Sequence, residues 1–343
     1  MKFNRVLLVA EIGINHNGDM SLAEKMIRAA ASAGADAVKF QNYRTEDFLS
    51  DRTLKYTYAS QGREITEPQF DMFKRCELSR ADLAHLKKCC DAAHVEFMST
   101  PTGEDGIIVL KETGAAWLKN GSDYLGHLPL IRAMARSGIP TILSTGMATA
   151  GEISDAVGAF RGAGGRDLVL LACTSAYPTP SGCLDLRRIS TLMREFGCPA
   201  GFSDHSTGWE AAVAATCVGA CMVEKHFTTD RDLPGPDQWF SSDPAEFAEL
   251  VRRVREAEKM LGSGDLRPTS AEMESRKNFR LSCTAARELK VGRCLQEADV
   301  CYRRPATGLP PGSIGLILGK ALARTVAAGT PLSMEDFEPR ILT

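Results

Sequence analysis

At 343 residues the chain has room for roughly two domains of about 150 residues each, and 44% hydrophobic with 24% charged residues excludes a disordered or fibrous chain. The 41 Lys and Arg against 43 Asp and Glu leave a net charge of −2. No global basic field is therefore available to hold nucleic acid or an anionic membrane, and an anionic substrate must be caught by locally placed cations.

The first apolar run, VLLVAEIG (6–13), leads straight into Glu11 and lacks the longer apolar core and cleavage site of a secretory leader, so it reads as a first strand. No run approaches the roughly 18 apolar residues of a membrane span. The segment SLAEKMIRAAASAGA follows, with apolar residues at three- and four-residue spacing, Ser21 as N-cap and Gly34 as stop. Next come AVKFQ (37–41), a further helical pattern capped by Ser79, EFMSTP (96–101), AWLKNG (116–121), TILSTG (141–146), LVLLACTS (168–175), AGFSDH (200–205) and MVEKHF (222–227). Strands alternating with helices imply parallel pairing with crossover helices. Eight such units over residues 1–262 predict an α/β fold, a (β/α)8 TIM barrel. Residues 263–278 are polar, with Gly, Pro and Ser, and read as a linker or short connecting helix. Residues 279–343 change character: LSCTAAREL, ADVCYRRP and GKALARTVAAG are strand-like pieces joined by turn sequences, which predicts a small β-rich domain. The 11 cysteines are scattered without a CxxC pair, the pattern of a cytoplasmic chain with free thiols.

Nearly every run ends in polar or charged residues, whereas a strand buried on both faces should stay apolar. In a barrel these C-terminal ends meet at one mouth, where active sites sit. Lys39, Lys119 and Lys225 come from three strands, and strand parity puts Lys39 and Gln41 on one face. Buried lysines need partners: either a bound dianion such as phosphate, or internal carboxylates such as Glu11, Glu224 and Asp204. His205 and His226 end consecutive runs, about 4.8 Å apart as neighbouring strands, and can share one divalent cation, water or substrate filling the open positions. Glu11 beside lysines and a metal can act as a base or orienting group. Thr100, Ser122, Ser144, Thr174 and Ser175 supply hydroxyls at strand ends for phosphate oxygens. Asp237, in the stiff loop PGPDQWFSSDP, either accepts hydrogen bonds from a polyol or makes an Asx turn.

At this point AEIGINHNG, GADAVKFQ, STP, LSTGMAT, CTSAYPTP, GFSDHSTG and EKHFTTDRDLPGPD, in that order and with the β-rich end, resemble the N-acetylneuraminate (sialic acid) synthase family. The resemblance implies condensation of phosphoenolpyruvate with an aldose to give a nonulosonic acid. It implies a TIM barrel followed by an antifreeze-like SAF domain, in a homodimer whose SAF domains are swapped. It carries phosphoenolpyruvate binding to Lys39 and Lys119, and its other phosphate and carboxylate contacts to Gln41, Thr100, Ser122, Ser144 and Ser203. A Mn²⁺ or Mg²⁺ site falls on His205 and His226, the catalytic glutamate on Glu11, sugar contacts on Tyr177 and Asp237, and an acyl contact on Arg304. The chain departs from the family pattern at Asn120, Asp123 and Tyr124 in KNGSDY, at Ala172, at Ser175, at Gln238-Trp239-Phe240 and at Arg280-Leu281. These changes fall on the sugar side and leave the acceptor open among N-acetylmannosamine, a diacetamido-trideoxy sugar, a phosphorylated hexose and an unusual sugar of a specialised pathway. Two other readings stay open: a class I aldolase using a strand lysine as Schiff base, and a carbohydrate-binding protein without catalysis.

Overall fold

The structure, a computed structural model, describes residues 3–338. The chain divides into a unit of residues 1–262 and a unit of residues 263–343.

In the larger unit eight strands close a parallel barrel. They are β1 (Leu7–Gly13), β2 (Ala37–Asn42), β5 (Glu96–Pro101), β6 (Trp117–Asn120), β7 (Thr141–Ser144), β8 (Leu168–Cys173), β9 (Ala200–Asp204) and β10 (Met222–His226). β1 closes the ring by pairing with β10 on one side and β2 on the other, Glu11 facing both His226 and Lys39 in register. The labels β3 (Lys55–Ser60) and β4 (Arg63–Pro68) belong to an antiparallel hairpin outside the barrel. The eight barrel strands fall on the eight apolar runs; the hairpin was not foreseen. Its strands are exposed along most of their length, so they show no burial period to read.

Alternation along the strands sorts the interior into layers. Val9, Ala37, Met98, Ile142, Val169, Leu171 and Met222 form an apolar plug inside the barrel. One step toward the C-terminal ends, the same inward parity brings Glu11, Lys39, Lys119, Ser144, Cys173, Ser203 and Glu224. The intervening residues, among them Leu8, Ala10, Val38, Phe40, Phe97 and Leu118, pack outward against the helices. The first helix, Met20–Ser32, is capped by Asp19, whose Oδ1 accepts from Ser21 N at 2.8 Å and Leu22 N at 3.2 Å. This corrects the expectation of Ser21, which lies inside the first turn. Ser79 does cap the helix Arg80–Ala92, in a capping box with Asp82.

In the smaller unit a short helix spans Met273–Phe279, and β11 (Ser282–Ala285) pairs antiparallel with β12 (Val300–Arg303). The third strand expected within 319–329 is not a strand. Its residues meet different partners through single bridges, Cys294 with Ala321, Leu322 with Phe337 and Leu289 with Val326. Cys283, Leu289, Leu295, Ile317, Leu322, Val326 and Leu332 make its core. Buried Asp299 binds Arg287 at 2.7 Å and Arg293 at 2.9 Å. No helix among the described residues is long and apolar enough to cross a membrane.

Candidate active site

A cavity of about 730 Å³ opens at the C-terminal ends of the barrel strands, the face where this architecture carries chemistry. Its floor is a buried ionic cluster. Lys39 Nζ lies 2.7 Å from Glu11 Oε2 and 3.8 Å from Glu224 Oε1, and it donates to Thr100 Oγ1 at 3.2 Å. Lys119 Nζ lies 3.1 Å from the same Glu224 oxygen, which also accepts from Ser203 Oγ at 3.2 Å. Gln41 Nε2 reaches Glu11 Oε1 at 3.4 Å. The two carboxylates are held in different protonation ranges. Burial pushes Glu11 up to about 7; Lys39 opposes this and the Glu224 charge adds to it. Burial acts on Glu224 in the same sense, but Lys119 and Lys39 outweigh it and bring it down to about 2. Two carboxyls whose environments drive their pKa values apart are the arrangement that assigns acid and base roles.

Glu224 was named from the sequence only as a neutralising partner, although parity was enough to find it. In EKH, Glu224 and His226 share the inward face, and Lys225 points away. There Lys225 Nζ meets Asp204 Oδ2 at 2.8 Å and donates to Ser206 O at 2.7 Å, an internal ion pair outside the cavity lining.

Beside the lysines, Ser122, Ser144 and Ser175 line the cavity. Gly146 N–H donates to Ser122 Oγ at 3.1 Å. A Cβ built on Gly146 would lie 2.6 Å from Ser175 Oγ and 2.7 Å from Ser122 Oγ, so glycine is required for these hydroxyls to converge. Ser144 Oγ is buried without a partner. The hydroxyls and two ammonium groups form a cradle suited to an oxyanion.

The His205 and His226 rings lie 5.6 Å apart between centroids. His205 Nδ1 is 2.9 Å from Thr174 O; a carbonyl can only accept, so this bond places the proton on Nδ1 and leaves Nε2 as a lone-pair donor. His226 Nδ1 is buried without a hydrogen-bond partner and lies 3.9 Å from Asp237 Oδ2. Burial, with His205 and Lys39 close by, keeps His226 neutral, its pKa well below the usual range. Two imidazoles with available nitrogens and a nearby carboxylate are of the donor types a divalent cation takes; the sequence reading gives Asp237 to a polyol contact or an Asx turn. Burial raises Asp237 to about 6, with His205 opposing. Tyr177 covers this corner, its ring 4.2 Å from that of His205 and 5.5 Å from that of Phe240.

The expected site residues line this cavity except Thr174, Lys225 and Arg304; Arg304 lies in the smaller unit with its guanidinium 5.2 Å from the Phe279 ring. Residues 26–266 match the NeuB family, and residues 282–338 match the SAF domain. The chain belongs to the NeuB family. It is 38% identical over 335 residues to the N,N'-diacetyllegionaminic acid synthase of Legionella pneumophila, covering 96% of this chain and 94% of that one. It is 31% identical to the human N-acetylneuraminate-9-phosphate synthase, covering 93% and 89%. A solved N-acetylneuraminic acid (sialic acid) synthetase from Leptospira borgpetersenii superposes with a TM-score of 0.72 at 36% identity, covering 79% of this chain and 90% of that one. For a NeuB chain the departures in KNGSDY have a concrete location. Asp123 and Tyr124 line the cavity, whereas Asn120 faces the helices with Leu118, fully buried and with neither amide atom bonded.

Proposed function

We propose that this NeuB enzyme condenses phosphoenolpyruvate with an aldose, giving a 3-deoxy-2-keto nonulosonic acid and phosphate. The observation that carries the reading is the pairing, in one cavity, of a two-lysine hydroxyl cradle with two available imidazoles. The names of the relatives, synthases of sialic-type acids, agree with it.

Lys39, Lys119, Ser122, Ser144 and Ser175 hold the phosphate and carboxylate of phosphoenolpyruvate, so its C3 meets the aldehyde carbon in a fixed orientation. His205 and His226, with Asp237 beside them, would hold a Mn²⁺ or Mg²⁺ ion. When bound, that ion supplies Lewis acidity toward a carbonyl oxygen. Gln41, Tyr177 and Asp237 orient the aldose. Carbon–carbon bond formation leaves C2 electron-poor; water adds there, and the hemiketal phosphate then loses phosphate. Glu11, poised near 7, takes the proton from that water and can return it to a leaving oxygen. Arg304 and a swapped homodimer are carried by the family resemblance, and a cytoplasmic location by the scattered cysteines; all three belong to the same proposal.

The state of Lys39 argues against its serving as the nucleophile of the aldolase alternative. A Schiff-base lysine needs a depressed pKa, whereas Lys39, despite burial, is raised by Glu11 and Glu224. The test is product mass and phosphate release from phosphoenolpyruvate over an aldose panel, with and without chelator. Phosphate release with a condensed sugar acid, lost in chelator and restored by Mn²⁺, is expected. A borohydride-trapped pyruvate adduct on Lys39 or Lys119 would replace the proposal with the aldolase.

A further inference from the structure

Outside the barrel, the helices Met20–Ser32 and Arg80–Ala92 pack against each other. They bury Ala23, Met26 and Ile27 with Leu83, Leu86 and Cys90 in one core cluster. Above that core three donor atoms converge. His85 and Cys89 stand one turn apart on the second helix, so the helical period puts both on one face. Glu24 reaches them from the first helix. His85 Nε2 lies 2.7 Å from Glu24 Oε1 and 3.7 Å from Cys89 Sγ, and the three atoms all lie within 4.8 Å of one another. None of the three residues lines the active-site cavity.

A carboxylate and a thiol here meet the same imidazole nitrogen. A proton on Nε2 satisfies the carboxylate alone, whereas a divalent cation satisfies the carboxylate and the thiol together. Around a zinc-type ion, bonds of about 2.0–2.3 Å in tetrahedral array set neighbouring donors about 3.4–3.6 Å apart. Cys89 Sγ already stands near that separation from the ring nitrogen. Glu24 Oε1 must retreat by less than about 1 Å to reach it, and its side chain is 30% exposed, with room to move. Arg28 Nη1 holds the other oxygen, Oε2, at 3.2 Å, which leaves Oε1 for the ion. His85 is half-exposed, so water reaches the fourth position. Both helices are fixed by the core beneath them, and the donors therefore stand on rigid elements.

We propose that Glu24, His85 and Cys89 form a surface site for a thiolate-seeking divalent cation of the Zn²⁺ class, which clips the two helices together. A thiolate, an imidazole and a carboxylate are zinc ligands, while Mg²⁺ keeps to oxygen. On binding, the ring proton moves to Nδ1 and the thiol proton leaves to solvent. The two anionic ligands then balance the charge of the ion. An ion that binds the folded chain and joins two of its helices stabilises the fold. The site is separate from His205 and His226 and takes no part in the reaction of the cavity.

The test titrates the full-length protein, stripped of metal by chelator, with Co²⁺ and follows the thiolate-to-cobalt charge-transfer band, with Zn²⁺ as competitor. Cys173 Sγ lies 3.9 Å from His205 Nδ1, so cobalt bound in the cavity would give a similar band, and Cys173→Ser separates the two sites. The expected band saturates at one equivalent, is displaced by Zn²⁺, persists in Cys173→Ser and is lost in Cys89→Ser, whose circular dichroism stays parental. Glu24→Gln and His85→Gln should each weaken Co²⁺ binding at least about tenfold, since the loss of a group that merely supports a ligand already costs that much. Zn²⁺ at a hundredfold excess over its Kd should raise the parental Tm by about 5–10 °C and leave that of Cys89→Ser unmoved. A parent without the band, a band that survives Cys89→Ser or vanishes in Cys173→Ser, or unaltered affinity in Glu24→Gln or His85→Gln would overturn the site. A Tm rise as large in Cys89→Ser as in the parent would overturn the clip.

Discussion

Replacing Lys119 by Met separates what the floor cluster does for the fold from what it does for the reaction. Lys119 Nζ stands 3.1 Å from Glu224 Oε1, and Lys39 stands 3.8 Å from the same atom. At an effective dielectric near 20, Coulomb's law gives about 5 kcal/mol for a 3.1 Å contact and about 4 kcal/mol for a 3.8 Å one. Most of this attraction is offset by the desolvation of three buried charges. Removing one partner of a buried pair costs about 3–5 kcal/mol, because the remaining charge is stranded. Lys39 stays on Glu224, so the lower end applies, about 3 kcal/mol, or about 6–12 °C in Tm for a unit of this size. The double variant Lys119→Met/Glu224→Gln removes the stranded carboxylate and should recover at least half of that loss. Phosphoenolpyruvate turnover should be lost in both variants, since the double variant restores charge balance and not the phosphate cradle. Scanning calorimetry with a phosphate-release assay reads both quantities. A single variant melting within about 2 °C of the parent, or a double variant no more stable than the single, would refute the claim that the lysines are held in place by Glu224.

Three further outcomes follow from other parts of the molecule. Asn120→Val removes a fully buried amide with no bonded atom and should raise stability by about 1–3 kcal/mol, read as a higher Tm; a lower Tm would mean that the amide has a partner the barrel needs. Gly18→Ala should destabilise by more than about 1–2 kcal/mol, since Gly18 sits at φ +77° and a Cβ would lie 2.1 Å from Arg75 O; denaturant unfolding at parental stability would refute this. In the smaller unit Arg293, helped by Arg287 against the effect of burial, holds Asp299 at about 2, below its unfolded value of about 3.9. A depressed carboxyl stabilises above its unfolded pKa and loses that contribution as pH falls through its folded one. The protection of the Leu289 and Leu295 amides relative to their intrinsic exchange should therefore fall between about pH 4 and pH 2, and Asp299→Asn should flatten the dependence.

The legibility of this chain follows the two-residue period of its barrel strands. Each is buried on both faces, so its apolar run and the polar residue that breaks it were visible without coordinates. The same period, read on EKH, ranks Glu224 with Glu11 and sets Lys225 aside. Spacing along one strand carries the direction of a side chain but not its partner, and Asp237 shows the limit. It lies on a loop 11 residues beyond His226, and only the folded loop brings its carboxylate to 3.9 Å from that ring. The hairpin marks the opposite limit. KYTYAS and REITEP send only Tyr58 into a small apolar cluster, with Ile14, Tyr43, Met72 and Cys76, and otherwise pair with each other and with the loop after β10. The floor of the cavity could therefore be read in advance, while the hairpin could not.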